Sequence, residues 1–261
     1  MGELRKRIVA GCILAPVVTA IFYFFPPVAF LVFLAIVILL AVRELAAMTG
    51  TSQSYLIVFL SLPGIIPLYL KQYPVFALWL LLSPFLYLLL KFFQRSNQSV
   101  NTELVKGVCL IVVSQVFIVI PFFSFYVLKV INNSLPLMLI FAVWASDICA
   151  FVAGKNFGKT PFAPMISPKK TYEGFLGSLV GSSIITVLFH PLIGFSVAQA
   201  VGLGLLIGLF GQAGDLLESS VKRVSAIKDS SSLIPGHGGI LDRVDSFVLT
   251  APLLLCFVWK A

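Results

Sequence analysis

Long apolar stretches separated by short polar segments dominate this chain of 261 residues. A helix needs about 20 apolar residues to cross the hydrocarbon core of a bilayer. Nine stretches approach or exceed that length, at residues 8–25, 28–48, 54–70, 75–93, 104–126, 135–153, 175–193, 195–213 and 246–259. They lack the polar/apolar alternation of a barrel strand. The pattern predicts an all-α polytopic transmembrane helical bundle of about nine spans. Eight spans is the alternative, because the seventh and eighth stretches lie close together.

The composition excludes the soluble classes. Apolar residues make up 59% of the chain and charged residues only 11%, against about a quarter charged in soluble domains. The chain therefore cannot supply the charged surface of a soluble globular domain, and it is too apolar for a disordered chain. We expect three regions. They are N-terminal transmembrane helices (1–103), middle helices with a basic loop (104–174), and C-terminal helices that carry the charged motifs (175–261).

The basic residues predict the orientation. Arg5, Lys6 and Arg7 precede the first span, which indicates a cytoplasmic N-terminus. With nine spans, all but three of the 18 basic residues fall on the cytoplasmic side, the exceptions being Lys71, Lys129 and Lys260. A secretory signal is the alternative for the first span. Since no small-residue cleavage site follows it, we expect it to stay uncleaved.

Acidic residues are scarce and clustered. Seven of the ten lie between positions 147 and 245. Asp147 lies inside the sixth apolar stretch, where a carboxylate must face a protein interior or a water-filled cavity. Its role is open between a functional group and a structural hydrogen bond between helices.

The loop at 154–174 is rigid and cationic. Ser167-Pro168-Lys169-Lys170-Thr171 places two ammonium groups and two hydroxyls within five residues, a combination that suits a phosphate. Attraction to anionic lipids at the cytoplasmic surface is the alternative explanation.

A second polar segment follows the eighth stretch. If that helix continues past the membrane, Asp215, Glu218, Ser219 and Lys222 share one face. Asp242 and Asp245 have the same i, i+3 spacing at the start of the last helix. An antiparallel arrangement could bring Asp215 opposite Asp242. Carboxylate oxygens without a Cys or His cluster suit Mg²⁺.

Two alternatives remain open in this segment. Surface ion pairs such as Glu218 with Lys222 account for one or two of the charges. The other alternative is an active site, because phosphoryl or nucleotidyl transfer requires carboxylates that bind a metal and basic residues that bind phosphates. His237 is either a general base or a structural residue. The glycines beside it permit either close approach to a ligand or a tight turn.

The fixed residues of this segment form one string: Ser219-x-Val221-Lys222-Arg223-x₄-Lys228-Asp229-x-Ser231-x₂-Ile234-Pro235-x-His237-Gly238-Gly239-Ile240-x-Asp242-Arg243-Val244-Asp245. At every defined position it resembles the signature of the phosphatidate cytidylyltransferases, or CDP-diacylglycerol synthases. The segment Ser167–Gly174 and the surroundings of Asp215 are also similar to that family. One segment departs from it, since Ile148-Cys149 follow Asp147 where the family usually has Thr-Gly.

The resemblance implies transfer of CMP from CTP to phosphatidic acid in phospholipid biosynthesis, with CDP-diacylglycerol and pyrophosphate as products and no nucleic acid involved. It implies Mg²⁺ held by Asp215 and Asp242, and leaves open a second cation. The expected catalytic residues are Asp215, Asp242, Lys222, Arg223, Lys228 and Asp229. The expected substrate-binding residues are Ser167, Lys169, Lys170, Thr171, His237, Gly238, Gly239, Arg243 and Asp245. It also implies a homodimer in a bacterial-type inner (plasma) membrane, with a polar active-site cavity open to the cytoplasmic face.

Two other functions compete with this interpretation. One is a membrane nucleotidyl- or phosphotransferase for another lipid, such as a polyprenol-type kinase or an archaeal-type lipid cytidylyltransferase. The full signature string counts against it. The other is a transporter or channel, which spreads its ionisable groups near the bilayer midplane. Here six of the seven C-terminal acids lie outside the clean apolar stretches, at one membrane face.

Overall fold

The computed structural model describes residues 15–51, 54–93, 100–227, 230–231 and 238–260. Within these ranges the chain is helical almost throughout, which confirms the all-α class. The first helices are α1 (Ala15–Phe24), α2 (Pro27–Met48), α3 (Ser54–Ser61), α4 (Ile65–Tyr69), α5 (Tyr73–Phe93), α6 (Val100–Ser114) and α7 (Ile120–Ile131). A turn of 3₁₀ helix joins α3 to α4, and a π-helical turn joins α6 to α7.

The second half of the chain contains longer helices and a small hairpin. Its elements are α8 (Ser134–Phe157), β1 (Pro161–Ala163), β2 (Ser167–Thr171), α9 (Tyr172–Ile193), α10 (Val197–Val224), α11 (Leu241–Val244) and α12 (Phe247–Lys260). The antiparallel β1–β2 hairpin lies in the predicted basic loop. Helix α10 has 28 residues and continues to Val224, well beyond residue 213. This length confirms the condition under which Asp215, Glu218, Ser219 and Lys222 share one helical face.

Six helical segments of the described chain are long and apolar enough to cross a bilayer: Pro27–Met48, Tyr73–Phe93, Thr102–Ile131, Ser134–Phe157, Tyr172–Ile193 and Val197–Val224. The other three predicted spans correspond to apolar helices too short to meet this length: α1, the stretch at residues 54–69, and α12. The second of these passes through a 3₁₀ turn at Leu62–Gly64, where Pro63 lacks the N–H that would continue the α-helical hydrogen bonds. The count of nine spans stays a prediction.

Helices α9 and α10 are distinct elements despite the short connection between them. Helix α9 ends at Ile193 and is capped by Gly194, whose φ of 76° is left-handed and favours glycine. Helix α10 starts with a capping box in which Ser196 and Gln199 exchange hydrogen bonds. These termination signals separate the seventh predicted span from the eighth.

Small residues let α8, α9 and α10 pack closely. A Cβ on Gly181 of α9 would lie 2.5 Å from the carbonyl oxygen of Ala145 in α8, and one on Gly204 of α10 would lie 2.4 Å from Cα of Ser183. The Ser182 hydroxyl donates to the carbonyl oxygen of Gly204 at 2.7 Å. Such contacts hold helices together in a membrane, where lipid is as apolar as the helix surfaces. This three-helix unit forms the walls of the site described below.

Candidate active site

A cleft of about 470 Å³ opens between α8, α9, α10 and the β1–β2 hairpin. Its polar lining comes from three elements, α8, β2 and α10: Asp147, Lys155, Lys169, Lys170, Thr171, Gln212 and Asp215. Its apolar lining includes the rings of Phe151, Phe162 and Phe175. Asp147 therefore faces a cavity, as its position in an apolar stretch predicted. The cleft combines charges of both signs with aromatic surface.

The central ion pair of the cleft joins Lys170 to Asp215. Lys170 Nζ lies 2.8 Å from Asp215 Oδ2, and it also donates to the carbonyl oxygen of Gln212 at 3.4 Å. The Ser219 hydroxyl donates to the second oxygen, Asp215 Oδ1, at 3.2 Å. The structure thus joins the basic loop to α10 through one of its predicted lysines and one of its predicted carboxylates.

The hairpin is fixed against the helices at both of its ends. The ring of Phe162 stacks on that of Phe175 at a centroid distance of 5.4 Å. At the hairpin turn, Arg223 Nε donates to the carbonyl oxygen of Ile166 at 3.1 Å. The Thr171 hydroxyl accepts from the Gly174 N–H at 3.2 Å and caps α9. Lys169 and Lys170 are therefore held at the cleft by a short, anchored hairpin.

A second group of charges lies further along α10. Lys222 Nζ donates to Glu218 Oε2 at 2.5 Å and to Asp242 Oδ1 at 2.7 Å. The side chains of Lys222, Glu218 and Asp242 are only 13%, 7% and 10% exposed. The predicted i, i+4 pair of Glu218 with Lys222 is confirmed, and Lys222 also binds a carboxylate from a different helix.

Asp242 accepts hydrogen bonds on both of its oxygens. Oδ2 accepts from the N–H and hydroxyl of Ser230 and from the N–H of Gly239, each at 2.9 Å. Burial alone would raise the pKa of Asp242, but the hydrogen bond from Lys222 and those from the backbone N–H groups outweigh it. The pKa of this carboxyl is lowered to about 2, so Asp242 is ionised at neutral pH.

Asp245, rather than Asp242, lies opposite Asp215. A Cβ on Gly214 of α10 would be 2.4 Å from the carbonyl oxygen of Asp245, which shows how closely the two segments approach. Asp245 Oδ1 accepts from the Ser246 N–H at 2.7 Å. Desolvation, followed by repulsion from the carboxylates of Asp215 and Asp147, raises the pKa of Asp245 to about 7. Negative charge therefore accumulates between α8, α10 and the start of α12.

The two glycines of the signature pack against carboxylates. Gly238 has a φ of 80°, and a Cβ there would lie 2.5 Å from Asp242 Oδ2. A Cβ on Gly239 would lie 1.9 Å from Ser230 Oγ and 2.5 Å from Glu44 Oε2. Both positions need glycine because side chains of the protein itself occupy the adjacent space.

The predicted site residues other than Asp245, which lies opposite Asp215, divide into four groups. Lys169, Lys170, Thr171 and Asp215 line the cleft, while Lys222, Asp242, Gly238 and Gly239 belong to the neighbouring network. Ser167 begins β2, Arg223 anchors the hairpin, and Arg243 is exposed on α11. Lys228, Asp229 and His237 lie outside the described residues.

Glu44, near the end of α2, was not predicted to belong to the site. Its carboxylate is buried and accepts hydrogen bonds from the segment around Asp242. The signal that could have revealed it is the one that singled out Asp147, an isolated acid in an apolar stretch.

Fold and cleft together define a helical membrane protein whose site brings cations and carboxylates together at the ends of α8 and α10. A family model described as the cytidylyltransferase family matches residues 5–260. The chain belongs to this family.

Several curated relatives carry the name phosphatidate cytidylyltransferase. The protein from Aquifex aeolicus is 32% identical over 249 residues, 94% of this chain and 88% of the relative. The one from Staphylococcus aureus strain COL is 42% identical over 143 residues, 54% of this chain and 55% of the relative. The one from a Synechocystis strain is 50% identical over 118 residues, 44% of this chain and 40% of the relative. The match therefore spans about half the length of the Staphylococcus relative.

Proposed function

We propose that this chain is a phosphatidate cytidylyltransferase, which transfers CMP from CTP to phosphatidic acid and leaves CDP-diacylglycerol in the membrane. The observation that carries the proposal is the mixed lining of the cleft. Lys169 and Lys170 offer ammonium groups to a phosphate, while Phe151 and Phe162 offer apolar surface. A substrate with an anionic headgroup and acyl chains needs both. Membership of the cytidylyltransferase family and the names of the relatives support the choice of substrates.

The proposed reaction is an in-line displacement at the α-phosphorus of CTP. An oxygen of the lipid phosphate forms the new P–O bond, the bond to the bridging oxygen breaks, and pyrophosphate leaves with the bonding electrons. The lipid phosphate is already ionised, so no general base is required. Lys169 and Lys170 hold this phosphate, and Lys222, Arg223 and Lys228 hold the nucleotide phosphates. Holding both substrates in line lowers the entropic part of the barrier.

Carboxylate oxygens are the donors that a divalent cation such as Mg²⁺ prefers, although the described residues hold no group of three or more acidic, His or Cys side chains placed to bind one. Asp215 and Asp245 offer oxygen donors in a region where desolvation first, and repulsion from the neighbouring carboxylates second, raise the pKa of Asp245. We propose Asp215 and Asp242 as the ligands. Within the described residues Asp242 Oδ1 accepts from Lys222 alone, so exchanging that ammonium for a metal leaves the hydrogen bonds to Oδ2 intact. When bound, the metal neutralises charge on the phosphates.

We further propose a location in the bacterial inner membrane with the cleft facing the cytoplasm. Three lysines, at positions 155, 169 and 170, line the cleft, and basic residues favour the cytoplasmic side. The homodimer stays a prediction from the family resemblance.

The proposal is tested by incubating the purified chain in detergent with radiolabelled CTP, phosphatidic acid and Mg²⁺. We expect a labelled lipid and one pyrophosphate per turnover. Lys170→Ala should lower kcat/KM roughly 100-fold, since one charged group that binds phosphate is lost. Lys260→Ala, which removes an exposed lysine at the end of α12, is the control and should behave as wild type. If the folded, purified protein forms no labelled lipid, the assignment is wrong.

A further inference from the structure

The buried carboxylate of Glu44 connects the N-terminal half of the chain to the signature segment. Glu44 lies near the C-terminal end of α2 and is 6% exposed. All four of its described hydrogen-bond donors belong to residues 230–241. Oε1 accepts from the Ser231 hydroxyl at 2.6 Å and the Ile240 N–H at 3.0 Å, and Oε2 accepts from the Ser230 hydroxyl at 3.2 Å and the Leu241 N–H at 2.8 Å.

These contacts hold both ends of the segment that precedes Asp242. Each oxygen of Glu44 accepts one hydroxyl from residues 230–231 and one backbone N–H from residues 240–241. A single side chain therefore fixes the distance between the start and the end of the segment.

The same segment holds Asp242 in place. The Ser230 hydroxyl lies 3.2 Å from Glu44 Oε2 and 2.9 Å from Asp242 Oδ2, so its one proton is shared between the two carboxylates. Asp242 Oδ2 also accepts the Ser230 N–H. Gly239 donates to Asp242 Oδ2, while its Cα packs so closely on Glu44 that a Cβ would be 2.5 Å from Oε2. Displacing the carboxylate of Glu44 must therefore disturb the hydrogen bonds that orient Asp242.

We infer that Glu44 is a positioning residue for the reaction, acting through Ser230, Gly239 and the backbone of residues 240–241 to orient Asp242. The inference rests on the proposed function. A carboxylate is the side chain that this arrangement requires, because it accepts hydrogen bonds on both oxygens and donates none. A glutamine would turn its NH₂ group toward one serine hydroxyl, which can rotate to accept, and toward one backbone N–H, whose hydrogen bond is lost because both groups are donors.

The test compares Glu44→Gln, Glu44→Asp and wild type for kcat, for the KM of each substrate and for Tm. We expect Glu44→Gln to lower kcat roughly 10- to 100-fold, the range typical for residues that orient metal ligands. The half-saturating Mg²⁺ concentration should rise, and KM for CTP should change much less than kcat. Glu44→Asp keeps the carboxylate and should recover part of the loss. If Glu44→Gln does not fold, Glu44→Asp is compared with the control by the same criteria.

The matched control is Ile38→Ala. Ile38 lies on the same helix and is 1% exposed, so the substitution lowers stability by leaving a cavity without touching residues 230–241. It should lower Tm yet retain most of the wild-type kcat and Mg²⁺ response. The inference is overturned if Ile38→Ala and Glu44→Gln lose equal fractions of kcat. It is also overturned if Glu44→Gln keeps the wild-type kcat. A wild-type enzyme without turnover instead counts against the proposed function.

Discussion

Lys222 is the residue whose removal should most disturb the network beside the cleft. It is the shared partner of two carboxylates, Glu218 and Asp242, and all three side chains are largely buried. Lys222→Met keeps the apolar stem and removes the charge. Two buried carboxylates then lose their ammonium partner. Removing one partner of a buried ion pair costs about 3–5 kcal/mol.

The loss should be visible in thermal unfolding. For a chain of this size, 1 kcal/mol corresponds to about 2–4 °C in Tm, so Lys222→Met should melt about 6–20 °C below wild type. Arg223→Met is the control on the next residue, because Arg223 is exposed and its described contact is one hydrogen bond to a carbonyl oxygen. It should cost about 1 kcal/mol or less. Both are measured in the same detergent by intrinsic fluorescence.

The double variant Lys222→Met/Glu218→Gln tests whether the unpaired carboxylate causes the loss of stability in Lys222→Met. Glu218 Oε1 is buried without a hydrogen-bond partner among the described residues, so neutralising Glu218 removes an uncompensated charge. Part of the lost stability should return in the double variant, as expected for coupled neighbours. If Lys222→Met melts within about 2 °C of wild type, or the double variant is less stable than the single, the reasoning about this network is wrong.

Three further results are expected. Asp245→Asn should be more stable than wild type at pH 8 in metal-free buffer, by up to about 4 kcal/mol. The pKa of Asp245 is raised to about 7, so the wild-type protein loses stability as the pH rises from about 4 through about 7 and this carboxyl ionises, whereas asparagine stays neutral. The difference should shrink at pH 5, and a pH-independent difference in Tm contradicts this. Gly239→Ala should lose about 1–3 kcal/mol through the collision with Ser230 and Glu44, whereas Gly202→Ala, which has free space, should be at least as stable as wild type. EDTA should abolish turnover and added Mg²⁺ should restore it, and full activity in EDTA contradicts the metal proposal.

The ends of the helices could be predicted from the sequence where capping residues and glycines determine them. The predicted seventh span ends at Ile193, where α9 ends, since Gly194 terminates the helix. Its start differs by three residues because the Thr171 cap moves the helix upstream. The predicted span at 54–70 is present as an apolar helical stretch from Ser54 to Tyr69, but a 3₁₀ turn at Leu62–Gly64 divides it into two α-helical parts. Pro63 lies in this turn and lacks the N–H that would continue the α-helical hydrogen bonds.

The pairings in the site could be predicted only where spacing along one helix determines them. Glu218 and Lys222 are four residues apart on α10, and their pairing followed from that spacing. The pairs Lys170–Asp215 and Lys222–Asp242 join different elements, so they depend on how the helices pack. The same applies to Glu44, whose donors lie nearly 200 positions further along the chain.

The length of α10 determines how deep in a bilayer the reaction would take place. At 1.5 Å per residue its 28 residues extend about 42 Å, whereas the hydrocarbon core is about 30 Å thick. Since its acidic and basic residues all lie between Asp215 and Val224, the surplus length projects into the headgroup layer at that end. A phospholipid carries its phosphate at this depth. Its phosphate can therefore reach Lys170 by lateral diffusion within the leaflet, while the acyl chains stay in the hydrocarbon.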